Sequence, residues 1–529
     1  MDSEASPSDR PGGGDCSAGS YRPVAVSRRG WLAASAALGS SVWGASCSTG
    51  SDGPEDGVGG SGTRPGPSTS GTDVVSAVSR PPPPSSGRWW LDGDFAPVAD
   101  EVEATSLRVL SGRIPSELNG LYVRNGSNPA SGESAGWFFG DGMVHGVWLE
   151  GGRATQYRNR YVDTPLYRDR EAFGSRPPLG ETSQSNVSVL YHGGRLLSSG
   201  EVGFPYELSG SDLSTVGPHD FGGRLPGSFT AHPKIDPATG SMHSFGYGFT
   251  PPYLTYHVTD SSGAMNTVEV VDTDRPTMMH DFAITESDVV FWELPVVFDL
   301  AAATRWAADP RSGAQPFVWR PESGARLGVM PLGGPSTAIR WFPIDPCYVF
   351  HSVNAYRDGD LIVLDVCRLG SAFEQGSTML GGGGLSLRRW RLDTRTGVVR
   401  DDVLETSDPG ELPTRDPRRV GRRHRYGYLV QASQPDVVPR LRGIIKHDFV
   451  RDRREKWVPP KGQFGGEWLF VPTGRAEDRG YLLTYLYDAP SATSQLVIVA
   501  ADDVTAGPVA RVELPQRVPF GFHGTFVPA

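Results

Sequence analysis

The chain has 529 residues, 38% hydrophobic and 21% charged, and its 60 acidic against 50 basic side chains give a formal charge of −10. That length can bury a large core, and the acidic balance excludes a global basic surface for nucleic acid. After Arg88 its glycines and prolines punctuate short apolar runs, which excludes a mainly helical protein and favours many strands joined by turns.

Residues 1–47 are expected to be an export signal. Ser27-Arg-Arg-Gly-Trp-Leu32 precedes a weakly apolar run, Ala33 to Trp43, too short to span a bilayer as a helix. The arrangement resembles a twin-arginine signal, and Gly44-Ala-Ser-Cys47 resembles a lipoprotein cleavage site. Export and attachment at Cys47 to the outer face of a bacterial cell membrane are therefore expected, with a cytoplasmic location as the alternative. Residues 48–87 are Ser-, Gly- and Pro-rich and read as a linker with too few apolar side chains to offset ordering.

Residues 88–529 read as one β domain. Asn-Gly pairs at Asn119-Gly120 and Asn125-Gly126 favour tight turns. An Asp141-Gly142 turn then leads into a strand with Val144, Gly146 and Trp148 on one face and Met143, His145, Val147 and Leu149 on the other. His145 is read as a core histidine. Short strand-like runs continue through Asp288–Leu294, Asp360–Val366, Tyr481–Tyr487 and Gln495–Ala500. Their number and spacing point to an all-β propeller, of about seven blades for this length, or to a large barrel. Cys347 and Cys367 flank a hairpin and are read as free buried thiols, since no cysteine pair has a zinc-site spacing.

Four histidines stand in similar aromatic- or glycine-bounded segments: His232 in Thr230-Ala-His-Pro233, His280 in Met278-Met-His-Asp-Phe282, His351 in Tyr348-Val-Phe-His-Ser352, and His523 in Phe520-Gly-Phe-His-Gly524. No helix or hairpin brings residues this far apart together, but the inner strands of a propeller can. Neutral imidazoles suit Fe²⁺, Zn²⁺, Ni²⁺ and Cu²⁺, so residue type alone does not choose the metal. Metal-bound imidazoles need their other N–H held by an acceptor. Glu201, Glu411 and Glu467 lie beside breaker residues and are candidates for this, while Glu477 reads as an exposed turn charge. Phe204, Tyr253, Trp292, Phe350, Phe522 and Phe526 are candidate walls of an apolar channel.

Leu121-Tyr-Val-Arg-Asn-Gly-Ser-Asn-Pro129, Gly140-Asp-Gly-Met-Val-His145, His280-Asp-Phe-Ala-Ile-Thr285 and Gly466-Glu-Trp-Leu-Phe-Val-Pro472, with the histidine segments, run in the order seen in the carotenoid oxygenase family. The chain resembles that family from Trp89 to Pro528. The resemblance implies a seven-bladed β-propeller with a loop and helical cap, one Fe²⁺ bound by His232, His280, His351 and His523, and Glu201, Glu411 and Glu467 holding the last three histidines. It implies O₂-dependent cleavage of a conjugated double bond in a carotenoid or apocarotenoid. Stilbene cleavage, or isomerisation on the same iron site, is the alternative, and contact with a membrane surface would deliver an apolar substrate. Ser127, Phe139 and Trp468 depart from the usual motifs. Gly200 stands where stilbene-cleaving members tend to carry a phenol-contacting lysine, and Tyr167 matches their other phenol contact.

Overall fold

The computed structural model describes residues 88–168, 179–308, 315–374, 384–432 and 441–529. Seven antiparallel sheets form the blades of a β-propeller. Blade 1 comprises Glu103–Thr105, Arg153–Tyr161, Gly142–Glu150, Gly120–Ser127 and the C-terminal strand Gly524–Pro528. Blades 2 to 6 are four-stranded antiparallel sheets starting at Ser188, Lys234, Ala283, Tyr348 and Gly410, simple meanders except for an insertion in blade 4. Blade 7 runs from Gln463 to Glu513 and takes Val109–Gly112 as its last strand.

The ring is therefore closed twice, each time by pairing residues from opposite ends of the chain. Val109 and Gly112 pair with Val512 and Ala510 at the outer edge of blade 7. Phe526 and Gly524 pair with Tyr122 and Arg124 on blade 1. Closure satisfies strand edges that would otherwise be open.

Local sequence explains the hairpins and the burial pattern. Glu150 pairs with Arg153 around Gly151-Gly152, both at positive φ (53° and 77°). A two-residue hairpin of this kind needs that conformation, which glycine adopts without a Cβ clash. Middle strands are covered on both faces by neighbouring blades, so Asp288–Glu293 is buried at every position. Arg153–Tyr161, nearer the rim, alternates between buried and partly exposed positions.

Several expectations change against this frame. Asn125-Gly126 lies within the strand Gly120–Ser127 and forms no turn. Asn125 Nδ2 instead donates to Ser185 O, Ser188 O and Ser198 Oγ at 2.9–3.1 Å, tying blade 1 to blade 2. Glycine is required at 126 because a Cβ there would meet Gly521 Cα at 2.8 Å. The helical part of the cap is small. Among the described residues it consists of the four-residue helix Pro165–Arg168 and of Leu300–Ala308, the latter inserted in blade 4 beside a two-stranded ribbon, Val296–Phe298 with Phe317–Trp319. Cys347 and Cys367 are free and buried, as read from their spacing. The expectation of attachment to the outer face of a membrane is corrected: among the described residues no helix is long and apolar enough to cross a membrane. The segments that suggested a signal and a linker, 1–47 and 48–87, lie outside the described residues.

Candidate metal centre

All seven blades contribute one side chain each to a site on the axis. His232 and His280 immediately precede the inner strands of blades 3 and 4, His351 lies on that of blade 5, and His523 immediately precedes the last strand of blade 1. Glu201, Glu411 and Glu467 come from blades 2, 6 and 7. The ligand atoms offered by the four histidines lie within 4.8 Å of one another. His280, His351 and His523 are buried and His232 is nearly so.

The carboxylates fix which ring nitrogen faces inward. His280 Nδ1 contacts Glu201, His351 Nδ1 lies 2.6 Å from Glu411, and His523 Nδ1 lies 3.0 Å from Glu467. A carboxylate can only accept, so each Nδ1 carries the hydrogen and each Nε2 turns a lone pair toward the centre. Among the described residues no carboxylate holds His232 in this way. Its backbone N–H is held by Thr230 Oγ1 at 2.9 Å. The Glu201 carboxylate is anchored in turn by the Tyr247 hydroxyl at 2.6 Å, and Glu467 also accepts from the Gly524 N–H at 2.9 Å.

This arrangement fits a metal ion. Nε2 of His280 lies 2.9 Å from that of His232 and 3.2 Å from that of His351. Lone pairs facing each other at that range repel unless a cation lies among them. Imidazole nitrogens about 2.0–2.1 Å from one ion and at right angles stand about 3.0 Å apart, as these do. An all-imidazole donor set suits a divalent first-row metal. Burial, then the charges of the other three imidazoles, push His232 well below the usual histidine range. Burial also lowers His351, against the opposing pull of Glu411. At His280 burial acts downward too, but the charge and hydrogen bond of Glu201 outweigh it and the pKa is raised.

Aromatic side chains flank the site on two sides. Phe350 meets the His280 ring edge-on at 5.4 Å and packs on Tyr348 at 4.8 Å. Across the centre Phe522, next to His523, stacks on Phe138 at 5.5 Å and packs on Trp137 at 4.9 Å. Of the other predicted wall residues, Trp292 lies in the core between blades 4 and 5, Phe526 packs against the core between blades 1 and 7, and Phe204 packs against that between blades 2 and 3. Tyr253 is partly exposed just before the strand Leu254–Thr259. Tyr167 stacks on Tyr161 at 4.7 Å.

His145 is buried with its Nδ1 2.9 Å from the Tyr157 hydroxyl, and burial holds it well below the usual range, as a core histidine requires. Glu477 is not the exposed charge its neighbours suggest: it accepts from the N–H groups of Arg425 and Tyr426 at 2.6 and 2.8 Å and pairs with Arg419. Sequence reasoning missed Tyr247, Trp137 and Phe138, whose aromatic runs read equally well as strand core. It also missed Lys234, Asp281 and Ser352, although a carboxylate inside the apolar run Met278–Ala283 was the available signal.

The family model described as retinal pigment epithelial membrane protein matches residues 95–528. A carotenoid cleavage oxygenase of Mycobacterium tuberculosis is 38% identical, with 83% of this chain and 97% of that protein covered. The carotenoid 9,10(9',10')-cleavage dioxygenase 1 of Arabidopsis thaliana is 34% identical over 83% of this chain and 89% of its own. Among solved structures, Pseudomonas brassicacearum lignostilbene dioxygenase superposes with a TM-score of 0.76 at 26% identity, covering 84% of this chain and all of that one. A variant of Synechocystis apocarotenoid oxygenase does so with a TM-score of 0.73 at 26% identity, covering 83% and 98%.

Proposed function

The chain belongs to the carotenoid oxygenase family, and from that premise we propose that His232, His280, His351 and His523 hold one Fe²⁺, with which the enzyme cleaves a conjugated carbon–carbon double bond of a carotenoid or apocarotenoid. The observation that carries the proposal is the set of Nε2 atoms turned inward, three of them by Glu201, Glu411 and Glu467. The reaction adds both atoms of O₂ across one C=C bond and releases two carbonyl products, with no external reductant and no net proton transfer. Iron, when bound, supplies the redox chemistry that lets O₂ react with the alkene.

The chain's own residues do the rest. Glu201, Glu411 and Glu467 keep three imidazoles in the metal-binding tautomer and orientation. Phe350 on one side and Trp137, Phe138 and Phe522 on the other offer faces on which a flat conjugated chain packs by hydrophobic contact, and they leave water few partners.

A second reading, cleavage of an aromatic stilbene, is favoured by the superposition on the lignostilbene dioxygenase, whose TM-score of 0.76 exceeds the 0.73 of the apocarotenoid oxygenase variant. Against it, Gly200 supplies no cation for a phenol, and a Cβ there would already meet Ser183 Oγ at 3.3 Å. The test is reconstitution of residues 88–529 with Fe²⁺ under anaerobic conditions, followed by aerobic incubation with carotenoids, apocarotenoids and hydroxystilbenes. One equivalent of iron and two carbonyl products from a polyene are expected. Turnover of stilbenes alone selects the second reading. Iron binding unchanged in all four His→Ala variants would overturn both.

A further inference from the structure

We propose that Asp281 is a positioning residue that locks the spacing of His232, His280 and His351 by joining the three blades that carry them. This rests on the metal reading above but concerns a group it does not use. Asp281 follows His280 directly on blade 4 and is only 1% exposed. Its Oδ1 accepts from Lys234 Nζ of blade 3 at 2.5 Å, two residues beyond His232. Its Oδ2 accepts from the backbone N–H and the hydroxyl of Ser352 on blade 5 at 2.9 and 2.8 Å. That N–H belongs to the peptide joining His351 to Ser352, so the Asp281 carboxylate grips the backbone of the next histidine while its own backbone carries His280.

The link works where Glu201, Glu411 and Glu467 do not. Glu201 and Glu411 turn individual rings and Glu467 holds the His523 ring and the Gly524 N–H, whereas Asp281 ties together the segments that carry His232, His280 and His351, whose Nε2 atoms stand 2.9 and 3.2 Å apart in succession. A site displaced by a fraction of an ångström binds its ion poorly. Blades packed face to face are held at that separation by side-chain contacts and connecting loops, and Asp281 adds an ionic and a hydrogen-bonded tie. All three donors are satisfied by one carboxylate, so the isosteric amide cannot replace it: in Asp281→Asn, an amide that keeps its oxygen toward Ser352 turns its NH₂ group on the Lys234 ammonium.

The experiment compares Asp281→Asn and the milder Ser352→Ala with Asp365→Asn, a control that disrupts a fully buried carboxylate held by Arg389 at 2.7 and 2.8 Å in blade 5. Each metal-free full-length protein is titrated with Co²⁺, read from its visible d–d absorption, and melted without metal. Asp281→Asn is expected to weaken Co²⁺ binding about 10- to 100-fold and to shift the d–d bands, Ser352→Ala to do so less, and Asp365→Asn to lower the melting temperature while leaving affinity and spectrum unchanged. Wild-type affinity and spectrum in Asp281→Asn, or equal weakening in Asp365→Asn, would overturn the proposal while leaving the metal reading intact. A wild-type protein that takes up no cobalt removes the metal reading and this inference together.

Discussion

Replacing Glu467 by glutamine separates the metal-binding role of the terminal strand from its role in closing the ring. Glu467 accepts from His523 Nδ1 at 3.0 Å and from the Gly524 N–H at 2.9 Å, one bond per oxygen. An amide has one oxygen for these two donors. If it serves Gly524, its NH₂ faces Nδ1, the imidazole moves its hydrogen to Nε2, and the lone pair is lost from the metal centre. If it serves His523, two N–H groups collide at Gly524. Loss of a hydrogen bond to a charged group costs about 1.5–3 kcal/mol, which at about 1.4 kcal/mol per decade predicts metal binding weakened roughly 10- to 100-fold. The metal-free protein keeps its strand pairing and loses about 1 kcal/mol, which for a domain of this size lowers the melting temperature by only about 1 °C. Competition against a chromophoric chelator measures the first quantity and thermal melting of metal-free protein the second. Wild-type metal affinity in Glu467→Gln would refute the tautomer argument.

Other perturbations have equally direct outcomes. Phe522→Ala removes a ring that is 5% exposed and packed on Trp137 and Phe138, so urea unfolding should show a loss of about 3–5 kcal/mol; a loss below about 1 kcal/mol would mean that the terminal segment contributes little packing. Gly521→Ala places a Cβ 2.6 Å from Asn125 O and 3.0 Å from Arg124 Nε, so the backbone leading to His523 must shift, and both metal stoichiometry and melting temperature should fall. Burial depresses His243 and His257 to about 4. The unfolded chain therefore takes up protons first: stability is full above about pH 6.5 and is lost as pH falls from there toward 4, by about 2–3 kcal/mol per histidine at about pH 4.5. The urea midpoint should drop between about pH 7.5 and 4.5, and His257→Gln should reduce the drop; a midpoint independent of pH would contradict the assignment.

Much of this was legible in the chain because propeller blades are local. A meander such as Tyr348–Glu405 pairs neighbours in sequence, so alternation and turn residues predict it strand by strand. The four histidines and three glutamates stood out because charged or imidazole side chains flanked by glycine and aromatics need a reason to be there. Hydrogen-bond topology was not legible. Asn125-Gly126 carries the signature of a turn, yet contact of Gly126 with Gly521 and the three donations of Asn125 hold it straight. Glu477 has polar neighbours, yet backbone donors from blade 6 bind it. The Lys234–Asp281–Ser352 tie joins three blades, and no periodicity within one blade announces a partner in the next. Trp292 and Phe350 show the same limit, since aromatics in similar strands serve the core and the metal site alike.

The central claim is that four axial imidazoles hold an iron with which O₂ cleaves a conjugated double bond. Its most direct test is a single incubation of iron-loaded protein with an apocarotenoid under ¹⁸O₂, quenched before carbonyl exchange with water and read by mass spectrometry. Two carbonyl products, each carrying one labelled oxygen and both absent from a His280→Ala variant, are predicted. Products without label, or cleavage undiminished in that variant, would contradict the account.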